Sequence, residues 1–364
     1  MRRRRMYTSD EKYKVLLKST SEVNMSNWQI SKTLDILTMV NNKFVILNKI
    51  NELLNNGVDK KNIFVTDKSF LIGTNYKTYF ENGHVFKSEN IIKIYNLGKM
   101  ITMLPNEDIY KINALFDLYK GLNSITNKNL KCRIRSEYLK ESYELLFSST
   151  IEDAFESLLE NTKNQVCEIF NRHISPDYQR RNSIIQQLDQ VYKKIFERVK
   201  KNHSNQMEKI KEKFVYTYNR FDRPVIGVYH PESHYIEILN YDQMYKNGEE
   251  SNTQIKLESI TKNSPVAITV LITGCMVGFM GYLLHREHNV TNQEHNIFDV
   301  PQSDQEAINN IMGNPNGSLL RTTDIENVDV EITDLAQGNL NKLKVITNKN
   351  NVRMEMIKQE MDID

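Results

Sequence analysis

The sequence predicts an α+β fold that is predominantly helical. Only 13 of 364 residues are glycine and 7 are proline, which favours helix over a β-sandwich. Long apolar segments with helical spacing alternate with short strand-like runs bounded by turn residues. The predicted segments are a basic flexible N-terminus (1–24), a small helix–β-meander–helix domain (25–130), a long-helix middle region (131–213), a small β-rich membrane-proximal unit (214–262), one transmembrane helix (265–285) and a small acidic C-terminal region (286–364).

One long helix and a meander predict the N-terminal α+β domain. Residues 28–56 carry apolar side chains at helical spacing, and Gly57 follows as a stop signal. The short runs "NIFV", "SFLIG", "YKTYF" and "HVFKS" are typical of strands, with Asn82-Gly83 as the strongest hairpin turn. A second helix is predicted to begin after Pro105 and to end at Gly121.

Start signals and one apolar seam predict the helical middle region. A capping box begins at Ser149, and the Ser175-Pro176-Asp177 run marks a second helix start. That second helix carries apolar residues separated by four, three, four and four positions, which predicts a seam for a partner helix. The seam covers about two heptads, so packing within the chain and coiled-coil dimerisation both remain open. Its residues are Ile184, Leu188, Val191, Ile195 and Val199.

Four runs predict the β-rich unit that follows. They are "FVYTYN", "PVIGVYH", "HYIEIL" and "TQIKLES", and Pro231 to Ser233 form a turn between the middle two. The segment around the first run also interleaves aromatic and basic side chains. Such a segment could stack on single-stranded nucleic acid, although a strand with one buried aromatic face explains it equally well. The side chains concerned are Tyr216, Tyr218, Arg220, Phe221 and Arg223.

The most apolar stretch predicts a transmembrane helix. From Val266 to Leu284, nineteen residues contain no charge, Asn or Gln, and as a helix they would span about 28 Å. Lys256 and Lys262 precede the stretch and Arg286 follows it, which weakly favours a cytosolic N-terminal region. The expected location is therefore a single-pass membrane protein, with the lipid bilayer as partner and the C-terminal tail on the opposite side. The alternative is a buried helix over 266–284.

Small residues form one stripe on this predicted helix. The stripe predicts a helix–helix interface, because small residues let two membrane helices approach closely. Glycine is also common in membrane helices without such a role, so homo-oligomerisation remains an open prediction. The stripe consists of Ala267, Gly274, Gly278 and Gly281.

Charge is distributed unevenly along the chain. Residues 1–150 carry 24 basic and 15 acidic side chains, whereas residues 286–364 carry 7 basic and 14 acidic ones. The N-terminal run could contact an anionic surface of phosphates or lipid head groups, and a solvated tail is the alternative. The run consists of Arg2, Arg3, Arg4 and Arg5.

Two clusters of histidine and carboxylate raise the question of metal binding. One lies at the predicted turn and the other follows the apolar stretch. A polar turn explains the first cluster, and interfacial residues at the end of a span explain the second, so no metal site is predicted. The first cluster consists of His230, Glu232, His234 and Glu237, and the second consists of His285, His288 and His295 with Glu287 and Glu294.

No phosphate-loop, dinucleotide-binding, nucleophile-elbow or CxxC motif occurs in the sequence, so neither an enzyme nor a cofactor is predicted. The expected function is a membrane-anchored structural or interaction protein that acts as a scaffold or recruits protein partners. The high content of Asn, Lys, Ile and Tyr is typical of AT-rich genomes, including those of viruses and phages. The alternative function is a soluble or virion-internal protein associated with nucleic acid.

Overall fold

The structure is a computed structural model, and it describes residues 12–19, 25–69, 85–171, 177–201, 207–239, 255–261, 267–273, 276, 330–349 and 352–357. The chain divides into two compact units. Residues 59–241 form the central unit, and residues 1–58 with 242–364 form the terminal unit. Most of the described residues are helical, and the paired strands run antiparallel, which confirms a predominantly helical α+β class.

The helices and strands are numbered here in chain order. They are β1 (Lys12–Ser19), α1 (Asn27–Asn55), β2 (Ile63–Ser69), β3 (Val85–Phe86), α2 (Ile91–Leu97), β4 (Met100–Thr102), α3 (Glu107–Leu130), α4 (Ser136–Ser148), α5 (Ile151–Asn171), α6 (Tyr178–Lys201), α7 (Met207–Arg220), β5 (Pro224–His230), β6 (Tyr235–Ile238), β7 (Lys256–Thr261), β8 (Ala267–Thr273), α8 (Val330–Lys349) and β9 (Val352–Ile357).

The central unit combines a helical layer with a five-stranded sheet in the order β3-β6-β5-β2-β4. Six of the seven residues of β5 are buried, which identifies this strand as the middle of the core. Helix α4 packs on α5, and α6 packs on both α3 and α5. A capping box is present at the start of α5, but it lies one residue later than predicted: the Thr150 hydroxyl accepts a hydrogen bond from the backbone N–H of Asp153 at 3.1 Å, and the backbone N–H of Thr150 donates to Asp153 Oδ2 at 3.2 Å.

The terminal unit has its own sheet, in the order β7-β8-β1-β9. Strand β1 alternates between faces, and its inward residues Val15 and Leu17 are buried. Helix α1 confirms the predicted long helix, begins with a capping box between Ser26 and Gln29, and packs against α8. Part of the predicted flexible N-terminus is thus a strand of this sheet.

The predicted transmembrane helix over 265–285, and the single-pass membrane location that depends on it, are wrong. Within the part of the chain that the structure describes, no helix combines the length and apolar character needed to cross a bilayer. Residues 267–273 instead form β8, which pairs with β1 on one side and with β7 on the other. The buried-helix alternative is equally incorrect for these residues. Their β-branched side chains, such as those of Ile268, Val270 and Ile272, suit a strand.

Two other segments differ from the predicted strands. Residues 214–220 belong to α7, because Phe214, Thr217 and Tyr218 are buried at helical spacing rather than in alternation. In the C-terminal region, the runs "NVDVEITDL" and "LNKLKVIT" are compatible with a strand hairpin, but residues 330–349 form α8. Strand β7 lies in the predicted "TQIKLES" run, but it pairs with β8 of the terminal unit.

Candidate functional site

Helix α7 presents one buried face and one exposed face. Phe214, Thr217 and Tyr218 face the core and are at most 6% exposed. Helix α7 packs against β2 and β4, so this side of the helix is held by the sheet of the central unit. The opposite side carries Lys213, Tyr216 and Arg220, and these three exposed residues, together with the following Arg223, are called the Tyr216 face below.

The central residue of the Tyr216 face is an exposed aromatic ring between cations. The Tyr216 side chain is 63% exposed. Lys213 precedes it by three positions and Arg220 follows by four, so all three lie on one side of the helix. The Arg220 guanidinium lies over the Phe221 ring, 5.4 Å from the ring centroid, which holds it by a cation–π contact. Exposed cations beside an exposed ring can contact phosphates and a base together.

Carboxylates limit the extent of the Tyr216 face. Glu212 is exposed four positions before Tyr216, and Asp222 is exposed beside Arg223. The wider segment is nevertheless basic, since residues 178–223 contain twelve Lys or Arg and five Asp or Glu, a net charge of +7. A segment with this positive charge attracts an anionic partner more strongly than a neutral or a cationic one.

A second polar cluster lies at the turn between β5 and β6. The Tyr229 hydroxyl is 3.1 Å from Asp108 Oδ2 and 3.0 Å from His234 Nδ1. Burial raises the pKa of Tyr229, and the neighbouring Asp108 raises this pKa further, so the hydroxyl keeps its proton. The hydroxyl has one proton, which it donates to Asp108 Oδ2. The proton in the contact with His234 therefore lies on Nδ1, which donates to the hydroxyl oxygen.

The same cluster holds the backbone of the turn. Tyr143 on α4 donates a hydrogen bond from its hydroxyl to the His234 carbonyl oxygen at 2.7 Å. The Phe147 ring, also on α4, stacks on the His234 ring with 3.9 Å between centroids. His234 has a φ of 52°, a left-handed conformation that non-glycine residues adopt infrequently. Stacking on Phe147 and two hydrogen bonds offset the free-energy cost of this backbone conformation. These contacts connect the turn to α3 and α4.

The other histidine of the predicted first cluster has a separate partner. His230 Nε2 is 3.1 Å from Glu237 Oε2, and the His230 ring stacks on Tyr235. His234 takes part in the Tyr229 network instead, and Glu232 is exposed. In the described ranges, no three His, Cys, Asp or Glu residues are grouped so that they could hold a metal ion. His285, His288 and His295 lie outside the described residues.

The predicted partner-helix seam lies on α6, which packs against α3 and α5 of the same unit. Four seam residues are buried and Val191 is half-buried. An ion pair between Lys163 on α5 and Asp189 on α6, at 2.9 Å, borders this packing. The buried seam residues are Ile184, Leu188, Ile195 and Val199.

Within the described part of the chain, the structure does not bring together the residues of the predicted small-residue stripe and of the N-terminal arginine run. Ala267 begins β8, where it pairs with Lys18 and Thr261 rather than lying on a helix. The remaining members of the small-residue stripe and of the N-terminal run lie outside the described residues. They are Gly274, Gly278, Gly281, Arg2, Arg3, Arg4 and Arg5.

The structure adds residues that the sequence interpretation did not select. Because 214–220 is helical, Lys213 lies on the same side as Tyr216 and Arg220 and belongs to the Tyr216 face. Tyr218 is buried and does not belong to this face. Asp108 and Tyr143 join the turn cluster from 121 and 91 positions away along the chain. No local pattern in the sequence indicates either contact. Compared with protein-family models, curated proteins and solved structures, the chain matches none of them.

Proposed function

We propose that the chain is a non-catalytic interaction protein whose central unit binds nucleic acid through the Tyr216 face. The observation that carries the proposal is the exposed Tyr216 ring, with Lys213 and Arg220 on the same side of α7. Proteins that bind single strands combine phosphate-contacting cations with aromatic rings on which bases stack. The net charge of +7 over residues 178–223 would attract a polyanion over a longer range.

The rigidity of α7 supports this proposal. A binding side chain contributes most when its element is already ordered, because less entropy is lost on binding. Phe214 and Tyr218 are 1% and 0% exposed, so the inner side of the helix is anchored in the core. The exposed ring and its flanking cations are thereby presented from a helix that needs no rearrangement.

The hydrogen bonds of the turn cluster support the proposal that the protein is not an enzyme. Its titratable side chains are Asp108, Tyr143, Tyr229 and His234, and the hydrogen bonds among them and to the backbone connect the turn to α3 and α4. Tyr143 and Tyr229 are 2% and 0% exposed, so their hydroxyl groups serve the fold. We assign the cluster a structural role.

The proposal is tested by the salt dependence of binding. The triple variant Lys213→Gln, Arg220→Gln and Arg223→Gln removes three positive charges from the Tyr216 face. Fluorescence anisotropy with labelled oligonucleotides should show weaker binding by the full-length variant, because fewer counterions are released from the nucleic acid. The slope of log affinity against log salt, measured between about 50 and 200 mM, should fall by about 2.

A matched control removes three charges from another helix. Lys193, Lys194 and Lys201 are exposed on α6, and changing all three to Gln preserves the number of charges lost. This control should keep most of the affinity and the salt slope. Equal weakening by both triple variants would indicate general attraction to a basic protein, and the Tyr216 face would then not be the binding site.

A further inference from the structure

We infer that the Tyr216 face selects single-stranded over duplex nucleic acid by stacking one unpaired base on the Tyr216 ring. This inference rests on the proposed function and adds the class of nucleic acid that is bound. Its starting point is that the ring is 63% exposed, although Phe214 and Thr217 on the same helix are 1% and 6% exposed. An aromatic face left in water beside cations is available to a base.

The spacing of the cations agrees with a short stretch of single strand. Lys213 and Arg220 are seven residues apart, which corresponds to about 10 Å along a helix axis. Stacked nucleotides rise by about 3.4 Å each, so this length equals about three nucleotide steps. A strand with one base on the Tyr216 ring would place phosphates on either side of that base, about three steps apart, toward the two cations.

A duplex does not offer the same contacts. Its base faces are already stacked on their neighbours, and exposing one face requires unstacking and unpairing of that nucleotide. A duplex can therefore use only the cations of the Tyr216 face, whereas a single strand can use the cations and the ring. Selectivity for the single strand follows from the aromatic contact and not from charge.

The arginine of the face contributes by its shape as well as its charge. Arg220 lies over Phe221 at 5.4 Å, which keeps the planar guanidinium close to the end of α7. A guanidinium in such a position can bind a phosphate through two N–H groups or stack on a base. Lysine at this position would keep the charge and lose the planar group, so Arg220→Lys should weaken single-strand binding.

The test compares oligothymidylate of about 20 nucleotides with a duplex of the same length, using the full-length protein. Tyr216→Ala should weaken single-strand binding by about 5- to 150-fold and leave duplex binding unchanged. Tyr216→Phe and Tyr216→Trp should keep single-strand binding, because each retains an aromatic ring. Since Tyr216 is largely exposed, its removal should not alter thermal unfolding, which is recorded for each variant.

Tyr178→Ala is the matched control, because Tyr178 is another exposed helix tyrosine, 56% exposed, with Arg181 over its ring at 4.9 Å. It should leave single-strand binding unchanged. If Tyr216→Ala binds the single strand like the unmodified protein while the triple charge variant weakens binding, the stacking inference is wrong and the proposed function stands. If neither variant changes binding, both are wrong.

Discussion

Tyr229 illustrates how one buried hydroxyl organises its surroundings. Its proton is directed to Asp108, which determines that His234 donates from Nδ1. The orientation of the His234 ring is then set by this hydrogen bond and by stacking on Phe147. Replacing the hydroxyl removes both hydrogen bonds at once, so the cost is expected to exceed that of a single neutral hydrogen bond, about 1 kcal/mol.

The raised pKa of Tyr229 predicts how stability depends on pH. Burial and Asp108 raise this pKa above the ordinary value of 10.0, so the folded state holds the phenol proton more tightly than the unfolded chain. The stabilisation is fully present below about pH 10, the unfolded value, and is lost progressively as the pH rises toward and through the raised folded value. In Tyr229→Phe, the free energy of unfolding should therefore fall less steeply above pH 10, by at most about 1.4 kcal/mol per pH unit.

Urea unfolding at intervals between about pH 9 and pH 11.5 measures this difference in slope. Lysine side chains titrate in both proteins, so their contribution cancels in the comparison. Tyr143→Phe serves as a second variant, because burial also raises the pKa of Tyr143. Identical slopes in all three proteins would show that these hydroxyls do not retain their protons on folding.

Sequence reasoning identified some residues of the two clusters and missed others. Tyr216 and Arg220 were recognisable because aromatic and basic side chains alternate locally. His234 was recognisable as a polar residue in a turn. Asp108 and Tyr143 were not, because their contacts with the turn depend on how α3 and α4 pack against the sheet. Tertiary contacts of this kind leave no periodic signal in a sequence.

Among the helices, Gly121 shows that a glycine can be needed for close helix packing and need not end a helix. The sequence predicts that the helix ends at Gly121, but α3 continues to Leu130. A Cβ at Gly121 would lie 2.6 Å from Val191 Cγ1 on α6, which is closer than atoms can pack. Glycine at this position therefore allows α3 and α6 to approach, and this reason outweighs its low helix propensity.

A double-mutant cycle tests that packing. Gly121→Ala should destabilise the protein by about 1 to 3 kcal/mol, because overpacking exceeds the gain in helix propensity. Val191→Ala removes the crowded methyl groups, so Gly121→Ala in that background should be neutral or stabilising by up to about 1 kcal/mol. Thermal and urea unfolding of the four proteins give the coupling. An equal effect of Gly121→Ala in both backgrounds would contradict the close approach of α3 and α6.

Apolar runs with β-branched residues are the elements for which sequence reasoning failed most clearly. The stretch that begins at Val266 has the length of a membrane helix, but residues 267–273 pair as a strand with β1 and β7. A continuous apolar run is compatible with either element, and the available partner strands decide between them. The long amphipathic helix α1 was predicted correctly because its apolar period extends over eight turns.

At the scale of the whole molecule, the terminal unit brings both ends of the chain into one sheet. β1 pairs with β8 through Val15 and Val270 and with β9 through Val15 and Met356. The pairing spans more than two hundred positions of sequence, so local patterns predicted α1 and β7 of this unit but neither β1 and β8 as strands nor their arrangement. The central unit draws all five of its strands from residues 59–241.

Deleting residues 1–24 tests the arrangement of the terminal unit. The deletion removes β1, so β8 and β9 lose the strand that they share; in hydrogen exchange, amide protection at 352–357 should disappear, and protection at 267–273 should decrease because only the pairing with β7 is left. Protection in β5 should remain, because its sheet contains no residue of the deleted segment. Deletion of residues 1–11 leaves β1 in place and is the control. Retained protection at 352–357 in the longer deletion would contradict the pairing.

The central claim is that nucleic acid contacts the Tyr216 ring itself. Photo-crosslinking of a 5-iodouracil single strand to the full-length protein, followed by mass spectrometry of the linked peptides, tests it most directly. Tyr216 should be the main crosslinked residue, and a duplex should yield little crosslinked product. Crosslinks concentrated at residues away from α7, with Tyr216 unmodified, would contradict it.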